Sequence, residues 1–265
     1  MTHSMAWDPD AFVTLDVLRR RPVIDLTAAL PSSLTPRSVV DLGCGAGQLS
    51  RLLAARWPQA DVLAVDQSRA MLRWAADTPS PVRYLHADLA VWRPRWPTDL
   101  VISAGGLQHV AGHDRLFPEL LQSLGPGGVL AVALPRPQDQ TTHSLLLETA
   151  ADGPWADRLH GAWPAAPLTG GSGGYDVQDY YDWLGREGAS IELWETEYFH
   201  VLDGDVPLVQ WLHQAALAPV MDRLTGPELD RFLAAYRRRL EAAYPEHSSG
   251  NTLIPTKWLF VVVRV

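Results

Sequence analysis

The chain has 265 residues, 47% of them hydrophobic, and a formal net charge of −8. This size allows one large domain or a core domain with a cap, and the acidic charge excludes the broad basic surface of proteins that bind nucleic acid or anionic membranes. The single cysteine, Cys44, excludes a disulfide framework within the chain. Because the sequence shows no apolar signal core and no apolar run near the roughly 20 residues of a membrane helix, we expect a cytoplasmic protein without nucleic-acid or membrane partners.

Residues 1–37 are predicted to form an N-terminal helical arm. Two helices are expected within residues 7–30, on either side of Arg19-Arg20-Arg21-Pro22. Pro22 suits the first turn of the second helix, because proline lacks the backbone N–H and has a φ angle that fits a helix start.

Residues 39–47, Val-Val-Asp-Leu-Gly-Cys-Gly-Ala-Gly, are predicted to run from a strand through a tight turn into a helix. The β-branched valines favour extended backbone, and the glycines allow positive φ angles and close approach of a ligand to the main chain. From Gln48 to Trp57, apolar residues recur at helical spacing. The N-terminus of this helix would face whatever lies over the glycines and would favour an anionic group there.

Strands and helices then alternate along the chain. Further buried strands are predicted at residues 61–66, 82–86, 99–103 and 128–134, with helices at 68–77 and 113–123. This alternation predicts an α/β fold with a parallel sheet, helices on both faces, and ligands at the carboxyl ends of the strands.

Two insertions are predicted to form a discontinuous helical cap, residues 136–175 and 203–254. The first is rich in proline and glycine, and the second carries apolar residues at helical spacing. Proline at position 255 is expected to break the chain before a final strand at 259–265.

The core that remains comprises residues 38–135, 176–202 and 255–265. A helix at 177–186 and a strand at 191–201 belong to it. With the final strand, the predicted sheet has seven strands, is mostly parallel, and has helices on both faces.

The spacing of the glycines decides between two kinds of ligand. A dinucleotide fingerprint requires Gly-x-Gly-x-x-Gly, whereas Gln48 occupies the place of the third glycine and the pattern is Gly-x-Gly-x-Gly. With Asp-Leu before the glycines and Asp66 at the end of the second strand, this stretch is similar to the S-adenosylmethionine site of class I methyltransferases. The resemblance implies their Rossmann-like fold.

The same resemblance implies roles for acids at three successive strand ends. Asp41 and the glycine loop would hold the methionine half of S-adenosylmethionine, and Asp66 would accept hydrogen bonds from both ribose hydroxyls. Asp88 and Leu89 would lie beside the adenine. Either the turn or one acid alone is often purely structural, as a turn or a helix cap, but the three acids together form a pattern. The other implied cofactor contacts are Gly43, Cys44, Gly45, Gln67, Met71 and Ser103.

S-Adenosylhomocysteine would be the product of that cofactor, and no metal is expected. Cys44 could be mistaken for a nucleophile. We expect it instead to pack as a small, inert residue beneath the cofactor.

Motifs from Trp7 to the C-terminal strand narrow the resemblance. They include Trp7-Asp8-Pro9, Ala87-Asp88-Leu89, Gly153-Pro154-Trp155, Phe232-Leu233-Ala234-Ala235-Tyr236 and Leu259-Phe260-Val261-Val262. These are similar to the bacterial trans-aconitate 2-methyltransferase family. Members esterify one carboxylate of trans-aconitate or a related polycarboxylic acid, which implies a small-molecule carboxylate substrate here.

The chain departs from the pattern of that family at positions that bear on the substrate. Ala218 and Trp258 stand where the family carries arginines, and Lys257 is the only lysine in the chain. Arg136 follows the fifth strand where the family has Asp, and His109 replaces a tryptophan after the fourth. The acceptor site is therefore expected to differ from that of the family.

A carboxylate acceptor is ionised at neutral pH and needs no general base, so cationic residues would orient it. A guanidinium matches a carboxylate best in geometry. The cationic candidates for substrate binding are Arg19, Arg21, Arg136 and Lys257. The resemblance to the family implies that Trp211, in the second insertion, also contacts the substrate.

Two alternatives remain open from the sequence. His109 could act as a base in methylation of a hydroxyl or amine of a small secondary metabolite, or it could be a packed histidine that lines the pocket without chemistry. The chain could also bind S-adenosylmethionine without catalysis. We expect a monomer or a weak homodimer.

Overall fold

The computed structural model describes residues 16–136, 140–162, 175–185, 188–203 and 217–265. Within these ranges the helices are α1 (Asp16–Ala28), α2 (Gln48–Arg56), α3 (Arg69–Ala76), α4 (His113–Gln122), α5 (Thr141–Ala151), α6 (Ala156–Leu159), α7 (Val177–Leu184), α8 (Ala218–Met221) and α9 (Gly226–Ala243). The strands are β1 (Ser38–Leu42), β2 (Asp61–Asp66), β3 (Arg83–His86), β4 (Thr98–Ala104), β5 (Leu124–Pro135), β6 (Ser190–Asp203) and β7 (Asn251–Arg264). A single helical turn, Leu107–His109, follows β4.

The strands of the described residues form one seven-stranded sheet in the order β3-β2-β1-β4-β5-β7-β6. Strands β1 to β5 pair in parallel, whereas β7 runs antiparallel to β5. The predicted mostly parallel sheet is therefore confirmed. Because parallel strands end at the same edge, Leu42, Asp66, Ala104 and Pro135 all lie at the edge where ligands of such sheets bind.

Both faces of the sheet are buried at strand β5. Leu130, Val132 and Leu134 of β5 pack in one apolar cluster with side chains of α4 and α7. The residues that alternate with them on β5 are also buried, and α1 contacts the same strand. Since successive side chains of a strand point to opposite faces, helices cover the sheet on both sides, as the sequence predicted.

Two predicted chain breaks are wrong. Residues 16–28 form one helix with Pro22 inside it, where the packing of fully buried Leu26 outweighs the lost backbone hydrogen bond. Strand β7 likewise runs through Pro255. This proline lies outside the stretch Trp258–Arg264 that pairs with β5, so its missing N–H removes no hydrogen bond to that strand.

The described residues divide into two compact units. The first holds those up to Pro135 together with Tyr175–Glu195 and Trp258–Val265, and the second holds those within Arg136–Gly174 and Thr196–Lys257. The second unit has its own apolar core, built from α5, α6, α8 and α9, in which the hydroxyl of Tyr236 donates a 2.8 Å hydrogen bond to the carbonyl oxygen of Thr142. Within the described ranges, every helix is too short or too polar to cross a membrane.

Candidate functional site

The glycine loop between β1 and α2 is held tightly against its neighbours. The backbone N–H groups of Gly43 and Cys44 donate to the carbonyl oxygen of Val65 on β2, at 2.8 and 3.2 Å. Gly43 has a φ angle of 73°, and a Cβ atom there would lie 2.6 Å from the Cα atom of Gly106. Because the turn after β4 lies directly on the loop, only glycine fits this position.

The third glycine of the motif has a backbone conformation that favours glycine, and it lies against two side chains. Gly47 has a φ angle of 78°, and a Cβ atom there would lie 2.7 Å from the hydroxyl of Tyr84 and 2.9 Å from Nη1 of Arg51. The Arg51 guanidinium also donates a 3.0 Å hydrogen bond to the carbonyl oxygen of Ala46. Arg51 and Tyr84 therefore close one side of the loop.

Asp41 lies under the loop as a buried acid, with 1% of its surface exposed. Its Oδ2 atom accepts a 2.5 Å hydrogen bond from the hydroxyl of Ser50 on α2. Burial raises the pKa of Asp41 to about 7, although the Ser50 hydroxyl opposes the rise. A positive charge on a ligand in this site would favour the ionised carboxylate.

Asp66 at the end of β2 links the loop to the next helix. Its Oδ2 atom accepts a 2.8 Å hydrogen bond from the N–H of Gly45, and Oδ1 accepts one of 2.7 Å from the N–H of Ser68. Burial raises the pKa of Asp66, and these N–H groups partly offset the rise. A carboxylate has about four lone-pair positions. Acceptor capacity therefore remains for ribose hydroxyls.

Further predicted cofactor residues lie buried at the same edge of the sheet. Met71 and Leu89 are 2% and 3% exposed. The hydroxyl of Ser103 donates a 2.7 Å hydrogen bond to the carbonyl oxygen of Leu42, which joins β4 to the end of β1. Burial raises the pKa of the Cys44 thiol well above its ordinary value, and a protonated thiol is a poor nucleophile.

The remaining predicted cofactor residues are exposed. The Oδ1 atom of Asp88 accepts a 2.9 Å hydrogen bond from the N–H of Ala90, so this carboxylate caps its own turn beyond β3. Gln67 follows Asp66 with its side chain in solvent. Both residues follow strand ends as predicted, and their contacts with a cofactor stay predictions.

The predicted substrate residues of the N-terminal arm and the turn after β4 are only partly described. Arg21 lies on α1, exposed, and pairs with Asp25 at 2.9 Å. Arg19 belongs to the same helix, and His109 ends the turn after β4, but the side chains of both lie outside the described part of the structure. Trp211 lies outside the described residues altogether.

Arg136 and Lys257 are neighbours in the second unit. The N–H of Arg136 donates a 2.8 Å hydrogen bond to the carbonyl oxygen of Lys257. The pairing of Pro135 with Trp258 in β5 and β7 places these residues opposite each other, so that their side chains leave the same face. Arg136 is buried, with 8% of its surface exposed. Both residues were predicted from the sequence as substrate-binding candidates, but their proximity was not predicted.

The sequence analysis did not identify two residues of α2 that contact the site, Ser50 beside Asp41 and Arg51 beside the glycine loop. Ser50 is fully buried on the apolar side of α2, and a polar residue at such a position is a signal that could have been used. The contacts of Arg51 with Tyr84 and with the carbonyl oxygen of Ala75 depend on residues distant in sequence.

Comparisons with known proteins cover the residues of this site and nearly the whole chain. A family model described as a methyltransferase domain matches residues 39–128, which include the glycine loop and Asp66. A protein of Azoarcus sp. (strain BH72) named trans-aconitate 2-methyltransferase is 41% identical over 256 residues, which are 97% of this chain and 98% of that protein. The chain belongs to the trans-aconitate 2-methyltransferase family. A relative from Acidovorax ebreus with the same name is 38% identical, again over 97% and 98% of the two chains.

Solved structures agree with this fold. The YcgJ protein of Bacillus subtilis superposes with a TM-score of 0.58 at 11% identity, over 92% of this chain and 98% of that one. A methyltransferase described as putative from Bacillus halodurans gives 0.57 at 12% identity, over 91% and 97%. At such identities the agreement concerns the fold alone.

As a member of the trans-aconitate 2-methyltransferase family, the chain is an S-adenosylmethionine-dependent methyltransferase. The described residues fit that cofactor. Asp41 and Asp66 place two buried carboxylates beside the glycine loop, which suit the positive charge of a sulfonium donor and its ribose hydroxyls.

Proposed function

We propose that the enzyme methylates one carboxylate of a small polycarboxylic acid of the trans-aconitate type. The observation that carries this proposal is the 41% identity, over 97% of the chain, to a protein named for that reaction. The relation extends through both insertions and is not confined to the cofactor-binding core.

Arg136 and Lys257 support an acceptor with several negative charges. Two cations lie opposite each other, and one of them is buried. A polycarboxylic acid has carboxylates that are not methylated, and these two cations could bind them. The guanidinium of Arg136 would bind one carboxylate through two N–H groups, and the Lys257 ammonium would act as a point charge. We infer that this pair replaces the arginines that the family carries at Ala218 and Trp258.

The protein needs to supply little chemistry for this reaction beyond binding and orienting the two substrates. S-Adenosylmethionine, when bound, supplies a methyl group that is already electrophilic. Asp41, Asp66 and the glycine loop would hold the donor, and the acceptor oxygen is already ionised at neutral pH. No general base is needed for such an acceptor, so the reaction would not require His109 to accept a proton.

A panel of acceptors tests the proposal. Purified enzyme and S-adenosylmethionine are incubated with tricarboxylates, dicarboxylates, monocarboxylates, phenols and amines, and the products are identified by mass spectrometry. We expect methyl esters of tricarboxylates and dicarboxylates, with trans-aconitate among the best acceptors. Methylation of a phenol or amine alone would overturn the proposal, as would saturable cofactor binding with no transfer to any acid.

Several sequence-based assignments stay predictions. They comprise the substrate contacts of Arg19, Arg21 and Trp211, the cytoplasmic location, the absence of nucleic-acid and membrane partners, and a monomer or weak homodimer as the oligomeric state.

A further inference from the structure

His113, the first residue of α4, is completely buried and hydrogen-bonded through both ring nitrogens. Its Nε2 atom lies 2.9 Å from the carbonyl oxygen of Leu107, and its Nδ1 atom lies 2.7 Å from the hydroxyl of Tyr180 on α7. Phe117 and Tyr175 pack against the ring, with centroids 4.9 and 5.5 Å away. The imidazole is therefore fixed in position and orientation.

The partners also determine the tautomer of His113. A carbonyl oxygen only accepts hydrogen bonds, so Nε2 carries the proton and donates it to Leu107. Burial lowers the pKa of His113, which keeps the ring neutral. Nδ1 is then unprotonated and accepts a hydrogen bond from the Tyr180 hydroxyl. In this way Tyr180 orients the ring so that it donates to Leu107.

Leu107 begins the helical turn that follows β4. Its carbonyl oxygen already accepts a 2.9 Å hydrogen bond from the N–H of Val110 within the turn, so His113 supplies a second bond that ties the turn to α4 and α7. The side-chain amide of Gln108 donates a 2.8 Å hydrogen bond back to the carbonyl oxygen of Gly105, which stiffens the segment.

The turn at residues 105–109 contacts the glycine loop directly. Gly106, the residue before Leu107, lies so close to Gly43 that a Cβ atom on either glycine would come within 2.7 Å of the other backbone. A shift of the turn would therefore move the backbone that lies on the glycine loop. Hydrogen bonds and close packing connect Tyr180, His113, Leu107, Gly106 and Gly43.

We propose that His113 is a positioning residue for methyl transfer, which holds the turn 105–109 against the glycine loop and is itself oriented by Tyr180. The inference depends on methyl transfer itself and not on the identity of the acceptor acid. A failure to methylate acids would therefore leave it testable with any acceptor that the panel identifies.

Tyr180→Phe tests the orientation of the ring with the smallest change. It removes one hydroxyl and keeps the aromatic packing in the core. We expect kcat to fall about tenfold, while the KM of the acceptor and the Kd of S-adenosylmethionine change less than about threefold. Tyr181→Phe is the matched control, because Tyr181 is the next residue of α7 and is exposed; its kcat should equal that of the wild type.

Substitutions of His113 test the bond to Leu107. The amide of His113→Gln places an N–H donor near the position of Nε2, whereas His113→Leu offers none. We expect His113→Gln to keep at least about ten times the kcat of His113→Leu, with both compared per folded molecule. Nitrogen NMR of the wild type at neutral pH should show a protonated Nε2 and an unprotonated Nδ1.

A purely structural role predicts a different result. Tyr180→Phe would then lower the Tm and leave kcat per folded molecule unchanged, and that outcome would overturn the proposal. A weaker Kd for S-adenosylmethionine with an unchanged kcat would also overturn it, because the turn would then act on donor binding alone and not on methyl transfer. If His113→Leu does not fold, the kcat of Tyr180→Phe decides the question.

Discussion

The Oδ2 atom of Asp66 accepts a 2.8 Å hydrogen bond from the backbone N–H of Gly45. The acid that ends β2 thus holds the middle glycine of the loop that follows β1, and its other oxygen accepts from the N–H of Ser68. Because both oxygens are fixed by backbone groups, the carboxylate is oriented by the fold itself. We therefore expect this carboxylate to accept a ligand without reorganising.

Asp66→Asn should weaken S-adenosylmethionine binding. An amide in this position turns an NH₂ group toward a backbone N–H and loses the charge that strengthens each bond. Hydrogen bonds to charged groups contribute about 1.5–3 kcal/mol, so we expect the Kd to rise about 10- to 100-fold in calorimetry. Asp61→Asn, at the exposed start of the same strand, is the control and should change the Kd less than about twofold. Equal affinities for the two variants would contradict the role of Asp66.

Asp41 should make the folded protein less stable as the pH rises. Its pKa is 3.8 ordinarily and about 7 in the fold. Between these values the folded state holds a proton that the unfolded state has released, so the free energy of unfolding falls with rising pH through this window. Asp41→Asn lacks this titration. The Tm of Asp41→Asn minus that of the wild type should therefore increase from about pH 4 to about pH 8 in the absence of cofactor. A difference independent of pH would show that Asp41 does not titrate in this range.

Binding of S-adenosylmethionine should release protons from the same group. A cationic ligand favours ionised Asp41, so the apparent binding enthalpy near pH 6 should depend on the ionisation enthalpy of the buffer. S-Adenosylhomocysteine lacks the sulfonium charge and should release fewer protons. Asp41→Asn should bind the donor about tenfold more weakly and release fewer protons than the wild type. Identical enthalpies for the wild type in all buffers would contradict this expectation.

Arg136→Gln and Lys257→Gln should separate acceptors by charge. Each removes one cation of the pair, so the KM of a tricarboxylate should rise about tenfold or more while that of a monocarboxylate changes little. Arg239→Gln is a control within the second unit, because this arginine pairs with Glu148 and Asp152 at the surface. If all three variants raise the KM of every acceptor equally, the pair does not bind the carboxylates that remain unmethylated.

Gly47→Ala should reduce stability more than Gly127→Ala. Both glycines have φ angles near 77°, but a Cβ atom at Gly47 would crowd Tyr84 and Arg51, whereas one at Gly127 would meet nothing within 4 Å. The backbone strain alone is about 1–2 kcal/mol. The additional loss in Gly47→Ala measures the crowding, and Tyr84→Phe in the same chain should recover part of it. Equal Tm values for the two alanine variants would contradict the close packing at Gly47.

Much of the fold follows from local pattern, as the glycine loop and Asp66 illustrate. Buried parallel strands have continuous apolar sequences, and acids follow at their ends, so the sheet and the placement of Asp41 and Asp66 near the glycine loop could be predicted. The predictions at Pro22 and Pro255 were wrong, because they rested on the local rule that proline interrupts helices and strands. Tertiary packing and strand pairing outweighed that rule. The pairing of His113 with Tyr180 spans 67 residues and left no local signal.

The acceptor side could be predicted only as a list of cations. The backbone hydrogen bond between Arg136 and Lys257 brings two of them together through the antiparallel pairing of β5 and β7. Register between strands distant in the sequence is not encoded in either segment alone. The arrangement of the cations that would bind the acceptor therefore could not be predicted from the sequence.

The position of the transferred methyl group tests the central claim most directly. The enzyme is supplied with S-adenosylmethionine labelled with carbon-13 in the methyl group, together with trans-aconitate, and the product is examined by NMR. We predict a single labelled methyl group bonded to a carboxylate oxygen, as a monomethyl ester whose formation requires Asp66. A label on carbon, or no transfer to the acid by an enzyme that binds the donor saturably, would contradict the account.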